Sequence, residues 1–330
     1  MMTHTFSLGC LPLTAPRRKE LERAAADAVS MPEYLWQRQA DMPVVKWDAY
    51  FEKWLDRRIA LADAYAARGF CLHPWEIFRA LPESARRGNV FAWDQGNLPS
   101  CSMHGAAHAY QCATLTAIAL GAPLYYESFN PIYPFYGARG GDISGGLDLW
   151  TAADWVNRRG MTPVSLVGPD NLRVRRENIP LIDEARKWQG AIVLIEDDFE
   201  RKIFRACRAL CSVSFGSGRL FTRSRIDGGG VKVMDGAASG GHAQCFTAWR
   251  AIGGTEYIFN LNSHGDIYGA TAEGEPAAGA WVTAEHLEVY ARDMERFGYP
   301  YVVFTEGDFR RSPAMVNEFP LPEFPAGYKR

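Results

Sequence analysis

Apolar residues recur at steps of three and four along several stretches of the chain, and each such stretch predicts a helix with one buried face. From Lys46 to Ala67 the stripe is Trp47, Phe51, Trp54, Leu55, Ile59, Ala62 and Tyr65, with Gly69 placed to stop the helix. Pro16 to Val29 predicts an earlier helix, with proline at its start and an alanine-rich interior. A third run, Met103 to Leu120, is apolar almost all round. Ser100 supplies a capping residue before it and Gly121 a stop after it, so a helix over 101–120 is expected in the core. Asp148 to Arg159, Phe199 to Leu210 and Ala284 to Arg296 complete the helices.

Strand patterns gather in the second half. Ala191 to Ile195 predicts a buried strand, and Cys211 to Phe215 a second. Segments 242–250 and 255–261 flank the turn Gly253-Gly254, and Tyr299 to Thr305 ends the series. Tyr125 to Gly146 and Gly216 to Gly241 are glycine-rich and predict loops and short hairpins. Residues 1–15 show no period and read as an arm. The tail from Ser312 to Arg330 is proline-rich and reads as an ordered arm or an unstructured end. Helices first and strands later predict an α+β fold.

Composition narrows the partners. Of 330 residues, 47% are hydrophobic and 22% charged, enough for a large packed core. A net charge of −2 gives no case for nucleic-acid binding, and runs such as Arg173-Val174-Arg175-Arg176 read as solvated faces. No apolar run approaches the ~20 residues of a membrane span. Met1 to Leu13 lacks the basic start and long apolar core of a secretory leader. Seven scattered cysteines, an odd number, argue against a disulfide framework, and with no secretory leader seen a cytoplasmic location is the expectation.

The chemistry gathers around Asp94-Gln95-Gly96-Asn97-Leu98-Pro99-Ser100-Cys101. Cys101 opens the central helix, where unpaired N–H groups and the helix dipole favour a thiolate. Gln95 stands six residues earlier, across a turn-forming link short enough to bring its amide beside the sulfur. Downstream are Gly240-Gly241-His242-Ala243 and Asn260-Leu261-Asn262-Ser263-His264-Gly265-Asp266-Ile267-Tyr268-Gly269. Taken alone, Cys101 would be a small buried hydrophobe and His242 a loop histidine.

In register, this set resembles the papain-like cysteine peptidases, whose glutamine, cysteine, histidine and asparagine follow in that order. Two weaker matches are Leu81-Pro82-Glu83-Ser84, similar to the start of the mature enzyme, and Gly140 to Leu147, similar to the glycine pair lining the substrate cleft. The resemblance covers roughly residues 80–270 and implies a papain-like two-lobed fold, a helical lobe and a barrel-like antiparallel lobe. It implies Cys101 as nucleophile, His242 as its base, Asn262 as the residue orienting the histidine, and Gln95 in the oxyanion hole. Asn260 is a close competitor for the asparagine role. Gly145, Gly146 and Gly241 would offer backbone to an extended substrate.

This sequence departs from the family at Ser102, usually aromatic, at His264 and Tyr268, usually tryptophan, and at Gly241, usually Asp or Asn. Leu98 and Ile143 stand where many members pair two cysteines, and are expected to pack together there. Three regions are expected: an N-terminal helical extension over 1–79, a peptidase domain over 80–311, and the tail over 312–330. The aromatic stripe of the extension would pack on the peptidase domain, occlude its cleft, or serve as an assembly contact.

Cys101, His104 and His108 fall at i, i+3 and i+7 and could be read as zinc ligands, but no fourth ligand has motif spacing. No metal or other cofactor is expected, and no phosphate loop is present. The leading expectation is a cysteine endopeptidase acting on peptides or proteins. The alternative is a papain-fold docking component of a larger assembly, such as a virion or secretion machine, leaving the cell by a non-classical route if at all. Its helices and tail offer surfaces for a homo-oligomer.

Overall fold

In a computed structural model the described residues are 9–30, 44–70, 72–81, 83, 86, 91, 93–120, 126–168, 180–266, 268 and 274–305. Gly121, Cys71, the Pro-rich tail and parts of the Leu81–Ser84 and Asn262–Gly269 motifs lie outside them.

The helices are α1 (Ala15–Ala26), α2 (Ala49–Ala67), α3 (Pro74–Ala80), α4 (Cys101–Ala119), α5 (Ile132–Ala138), α6 (Leu149–Arg158), α7 (Val164–Val167), α8 (Pro180–Ala185), α9 (Phe199–Arg208) and α10 (Ala284–Phe297). The strands are β1 (Val44–Val45), β2 (Phe129–Asn130), β3 (Thr162–Pro163), β4 (Ala191–Leu194), β5 (Val213–Ile226), β6 (Lys232–Ile252), β7 (Thr255–Leu261), β8 (Gly279–Thr283) and β9 (Tyr301–Phe304). Seven strands form one sheet in the order β1-β4-β9-β5-β6-β7-β8. All neighbours run antiparallel except β1 and β4. A further pairing of Val233 on β6 with Trp281 on β8 curls the long strands toward a barrel.

α4 is buried along its whole length except at Ile118, as an all-apolar pattern requires. It lies against β6 so closely that a Cβ on Gly105 would sit 3.0 Å from the Gln244 carbonyl oxygen and 3.1 Å from Ser214 Oγ. This contact puts the start of α4 beside the middle of β6. Ser100 precedes the helix without capping it. Its hydroxyl lies instead 3.2 Å from Nδ1 of His104.

α2 starts three residues later than its stripe because Asp48 takes the cap, accepting from the N–H groups of Tyr50 and Phe51 at 2.9 and 3.0 Å. Gly69, at φ +80°, ends it. The stripe packs on the sheet: Phe51 and Trp54 meet Phe304 of β9 edge-on, with centroids 5.6 and 5.0 Å apart. Of the three readings of this stripe, the structure shows packing on the sheet.

One loop expectation fails, and the hairpins expected over Gly216 to Gly241 take the form of one long hairpin, β5 and β6, of which these residues make up the greater part. Its turn is held by Asp227, whose carboxylate accepts from Gly229 N and Val231 N at 2.9 Å each. Within 125–146 the chain forms α5, because the Asn130 side chain accepts from Ile132 N and Tyr133 N at 2.8 and 3.0 Å and starts a helix despite the prolines. Ile143 is 37% exposed, so it does not pack with Leu98 in a core.

Candidate active site

The loop 93–100 is stitched to the segment after β7. Gln95 N donates to the Ser263 carbonyl at 2.8 Å, Gly265 N donates to the Trp93 carbonyl at 2.9 Å, and Asp94 bridges His264 antiparallel. The Gln95 side chain joins the same seam. Its Oε1 accepts from Ser263 Oγ at 2.5 Å, and its Nε2 donates to the Leu98 carbonyl at 2.8 Å. The seam brings the residues ahead of Cys101 against the asparagine motif, far away in sequence.

His242, on β6, meets Asn262, the first residue after β7. Nε2 of His242 lies 2.7 Å from Oδ1 of Asn262, which also accepts from Ser263 N at 2.7 Å. Asn262 Nδ2 donates to the Tyr268 hydroxyl at 2.8 Å, and that hydroxyl donates to the Phe221 carbonyl at 2.8 Å. A backbone donor on Oδ1 fixes which way the amide faces. Nε2 is then the protonated nitrogen, and Nδ1 keeps its lone pair. Nδ1 is buried and has no hydrogen-bond partner. Asn260, the competing asparagine, is spent on Gln244, donating to its Oε1 at 3.1 Å.

The Cys101 thiol is fully buried. The backbones of Ala243, Gly9 and Ser102 each favour its thiolate, and Ala243 is the chain neighbour of His242, while the Ser102 hydroxyl donates to the Leu147 carbonyl at 2.8 Å. No hydrogen bond joins Cys101 and His242 among the described residues. Burial pushes the thiol up from its ordinary value, against the lowering expected at a helix start. Loss of solvation outweighs the backbone donors while the site is covered.

The cover is the N-terminal arm. Gly9 O accepts from Leu147 N at 2.9 Å, Leu11 N donates to Leu147 O at 3.0 Å, and Cys10 N donates to Gly241 O at 3.2 Å. Cys10 and Leu147 form a parallel bridge, and Leu13 N donates to Arg296 O at 3.0 Å. Three glycines admit the arm: a Cβ on Gly9 would come 2.0 Å from the Pro99 carbonyl oxygen, one on Gly146 1.7 Å from Gly9 O, and one on Gly241 2.0 Å from Cys10 O. The glycine edge expected to be exposed is therefore occupied at Gly146 and Gly241, while Gly145 stands beside Arg139. The arm, not the aromatic helix α2, covers Gly146 and Gly241.

Imidazoles crowd the site. His264 stacks on His242 with centroids 4.8 Å apart and planes 13° apart. His104 donates from Nδ1 to the Ser100 carbonyl at 3.0 Å and meets Trp93 edge-on, while His108 stacks on Trp93. Burial holds all of them neutral: it lowers His242 to about 3, with His264 adding to the effect, and His104 and His264 each to about 4. No three His, Cys, Asp or Glu residues among those described are placed to hold a metal. The zinc reading of Cys101, His104 and His108 finds no such cluster. A cavity of about 680 Å³ lies elsewhere, between α2 and β6 near Phe70, Lys232 and Trp249, and none of Gln95, Cys101, His242 or Asn262 lines it.

No family model matches the chain, and no curated protein matches it. Solved structures are similar at low identity. Xylellain, a cysteine protease from Xylella fastidiosa, is 13% identical with a TM-score of 0.44, over 69% of this chain and 88% of that one. Digestive procathepsin L 3 of the Tenebrio molitor larval midgut is 12% identical with a TM-score of 0.44, over 77% and 90%. Procathepsin B of Trypanosoma congolense is 12% identical with a TM-score of 0.47, over 90% and 100%.

Three features escaped the sequence: the arm in the groove, the Tyr268 hydroxyl behind Asn262, and the His264 ring over His242. The first left a trace in the glycines at 9, 146 and 241. The second left one in the tyrosine six residues after the asparagine. Nothing in the sequence signalled that His264 would stack rather than turn outward. No described helix is long and apolar enough to cross a membrane.

Proposed function

We propose that the chain is a papain-like thiol hydrolase, a cysteine endopeptidase with Cys101 as nucleophile. One observation carries the reading. His242 is held through Nε2 by Asn262, its other nitrogen is a buried, unpartnered base, and the backbone of Ala243, the next residue along the strand, favours the Cys101 thiolate.

For hydrolysis the arm leaves the groove, and water and substrate enter. Solvation lowers the cost of a thiolate, and Nδ1 of His242 takes the Cys101 proton. The thiolate sulfur attacks the peptide carbonyl carbon. The oxyanion that forms is met by the Cys101 backbone N–H and by the Gln95 side-chain amide. His242 gives its proton to the leaving amine, and the C–N bond breaks. Water, deprotonated at the same nitrogen, then opens the thioester and frees the thiol. Asn262 keeps the ring facing the sulfur throughout, as the third member of a triad does. The Gly146–Leu147 edge, vacated by the arm, pairs with the substrate backbone.

The test is labelling with an epoxide or haloacetamide reagent, together with cleavage of a broad peptide library. Cys101 is expected to react and the other thiols to be spared, with His242→Ala removing both labelling and cleavage. Equal labelling in His242→Ala would remove the histidine from the mechanism. A second reading, a papain-fold docking component, draws on the filled groove. A stable oligomer without cleavage, unchanged by Cys101→Ala, would favour it.

A further inference from the structure

The cavity of about 680 Å³ between α2 and β6 has no part in the proposed hydrolysis. Its size is that of a small-molecule site. Ala62, Asp63 and Ala66, near the end of α2, line it together with Gly69 and Phe70 of the turn that follows. So do Lys232, at the start of β6, and Trp249 to Ile252, at its end. Both ends of one strand reach the same cavity because β6 curls, Val233 pairing with Trp281 of β8.

The lining sets Arg208, Lys232 and Arg250 against two carboxylates, Asp63 and Glu275. Each carboxylate already meets an arginine, Asp63 at 3.4 Å from Arg208 and Glu275 at 2.9 Å from Arg250. The excess is one positive charge, and Lys232 is only 6% exposed. Burial lowers Lys232 to about 8, while Glu275 and Asp266 act the other way. The backbone N–H groups of the β5–β6 turn are spent on Asp227: those of Gly229 and Val231 donate to its carboxylate and that of Gly230 to its carbonyl. A phosphate, which draws on a cradle of backbone donors, finds no match there, whereas a single carboxylate matches the one excess charge.

Much of the remaining lining is apolar. Phe70, Leu72, Leu210 and Trp249 contribute to it, and the Arg208 guanidinium lies 5.0 Å from the centre of the Trp249 ring. Ile226 and Ile252 line it too, and at 64% and 40% exposed they stand at its mouth. An exposed apolar rim leading to a buried charge is the arrangement of a ligand site. We propose that this cavity binds a small monocarboxylate with an apolar body, the carboxylate beside Lys232 and the body against Phe70 and Trp249. An alkanoate and an arylalkanoate share that chemistry.

The proposal does not rest on Cys101 being a nucleophile, since the cavity stands apart from Gln95, Cys101, His242 and Asn262. Its occupant joins α2 to both ends of the strand that carries His242. A ligand held between these elements binds the folded chain alone, so it raises the unfolding temperature as its concentration passes Kd.

The test titrates the full chain by calorimetry with octanoate, phenylpropionate, octanol and octyl phosphate. Saturable binding of a carboxylate is expected, at least about tenfold tighter than that of octanol. The tighter of the two carboxylates tells an aliphatic from an aromatic ligand. Lys232→Met keeps the stem and removes the charge, so carboxylate affinity is expected to fall at least about tenfold while octanol affinity holds. Ala62→Phe fills the cavity from α2 and is expected to remove both, and it carries the test if Lys232→Met does not fold by circular dichroism. Cys101→Ala is expected to bind as the unaltered chain does. No saturable binding, octanoate no tighter than octanol, octyl phosphate tighter than either carboxylate, or carboxylate binding unmoved in either folded cavity variant would overturn the proposal. Carboxylate binding lost in Cys101→Ala would overturn it too, by placing the ligand at the cysteine.

Discussion

Oδ1 of Asn262 accepts from both Nε2 of His242 and the Ser263 backbone N–H, each at 2.7 Å. The second bond orients the amide, and the oriented amide in turn orients the imidazole. Asn262→Ala leaves a buried N–H without an acceptor and lets the ring turn from the sulfur. Peptide cleavage is expected to fall about 100-fold or more, the range that positioned proton transfer supplies. Tyr268→Phe leaves Oδ1 of Asn262 and its partners in place and removes the hydroxyl that receives Asn262 Nδ2 and donates to the Phe221 carbonyl, and a loss within about tenfold is expected. Comparing kcat/KM for the two variants checks this. Equal losses would mean that the asparagine does not set the ring.

Gln95 has two duties that one variant can separate. Its Oε1 holds Ser263 Oγ, and its Nε2 is the side-chain donor proposed for the oxyanion. Gln95→Glu keeps the acceptor and much of the shape but loses the donor and gains a charge. A fall in kcat of roughly 100- to 1000-fold with little change in KM is expected, the size of one lost oxyanion donor. Urea denaturation should also show a loss of stability, because the Leu98 carbonyl loses its donor and faces a buried carboxylate oxygen. Full activity in this variant would move the oxyanion site elsewhere.

The elements that bury a stripe were legible in the sequence. α2, α4, α6 and α10 show in the spacing of Phe51, Trp54, Met103, Leu115, Trp150, Leu287 and Tyr290, because a buried face must repeat with the helix. Gln95, His242 and Asn262 were legible as a set, and the structure brings His242 and Asn262 into contact. The rest was hidden for physical reasons. The arm is held by backbone bonds, which any residue type can make, so Gly9 to Leu13 needed no side-chain pattern. The β5–β6 hairpin is stabilised by cross-strand pairing that no local window contains, so its glycines suggested hairpins and loops but not the length of the two strands. The thiol's raised pKa comes from burial, a product of the packed fold that no local window contains, and the Gly9 backbone, far away in sequence, works against it.

Trp54 tests whether the N-terminal extension is part of the fold. Its ring lies 5.0 Å from Phe304, with the Arg58 guanidinium 4.6 Å above it. Arg58 in turn donates from Nε to the Ala209 carbonyl at 2.9 Å. Trp54→Ala is expected to destabilise the chain by about 3–5 kcal/mol in urea denaturation, as truncation of a buried aromatic does. A chain beginning at residue 80 exposes the sheet face beneath Phe51 and Trp54 and is expected to be insoluble or unfolded. A loss under about 1 kcal/mol for Trp54→Ala would mean that the helix docks only loosely.

The buried imidazoles set an acid limit on stability. His104 and His264 are lowered by burial to about 4 and His242 to about 3, whereas the same rings in an unfolded chain titrate near 6.5. Depressed values mean that the unfolded state takes up protons first as pH falls. The stability these neutral rings represent is complete above pH ~6.5 and is lost progressively toward pH ~4 and below. At pH ~5 each ring is expected to cost roughly 2 kcal/mol relative to pH ~7.5, from about 1.4 kcal/mol per unit below the unfolded value. Carboxylates add their own dependence, so the variant matters more than the raw slope. His104→Gln removes one of the three rings from the titration and should flatten the curve of unfolding free energy between pH ~7.5 and ~5 by about that amount. A wild-type curve that stays level over this interval would show that these imidazoles can protonate without unfolding the chain, which the stacking of His264 on His242 in a dry site opposes.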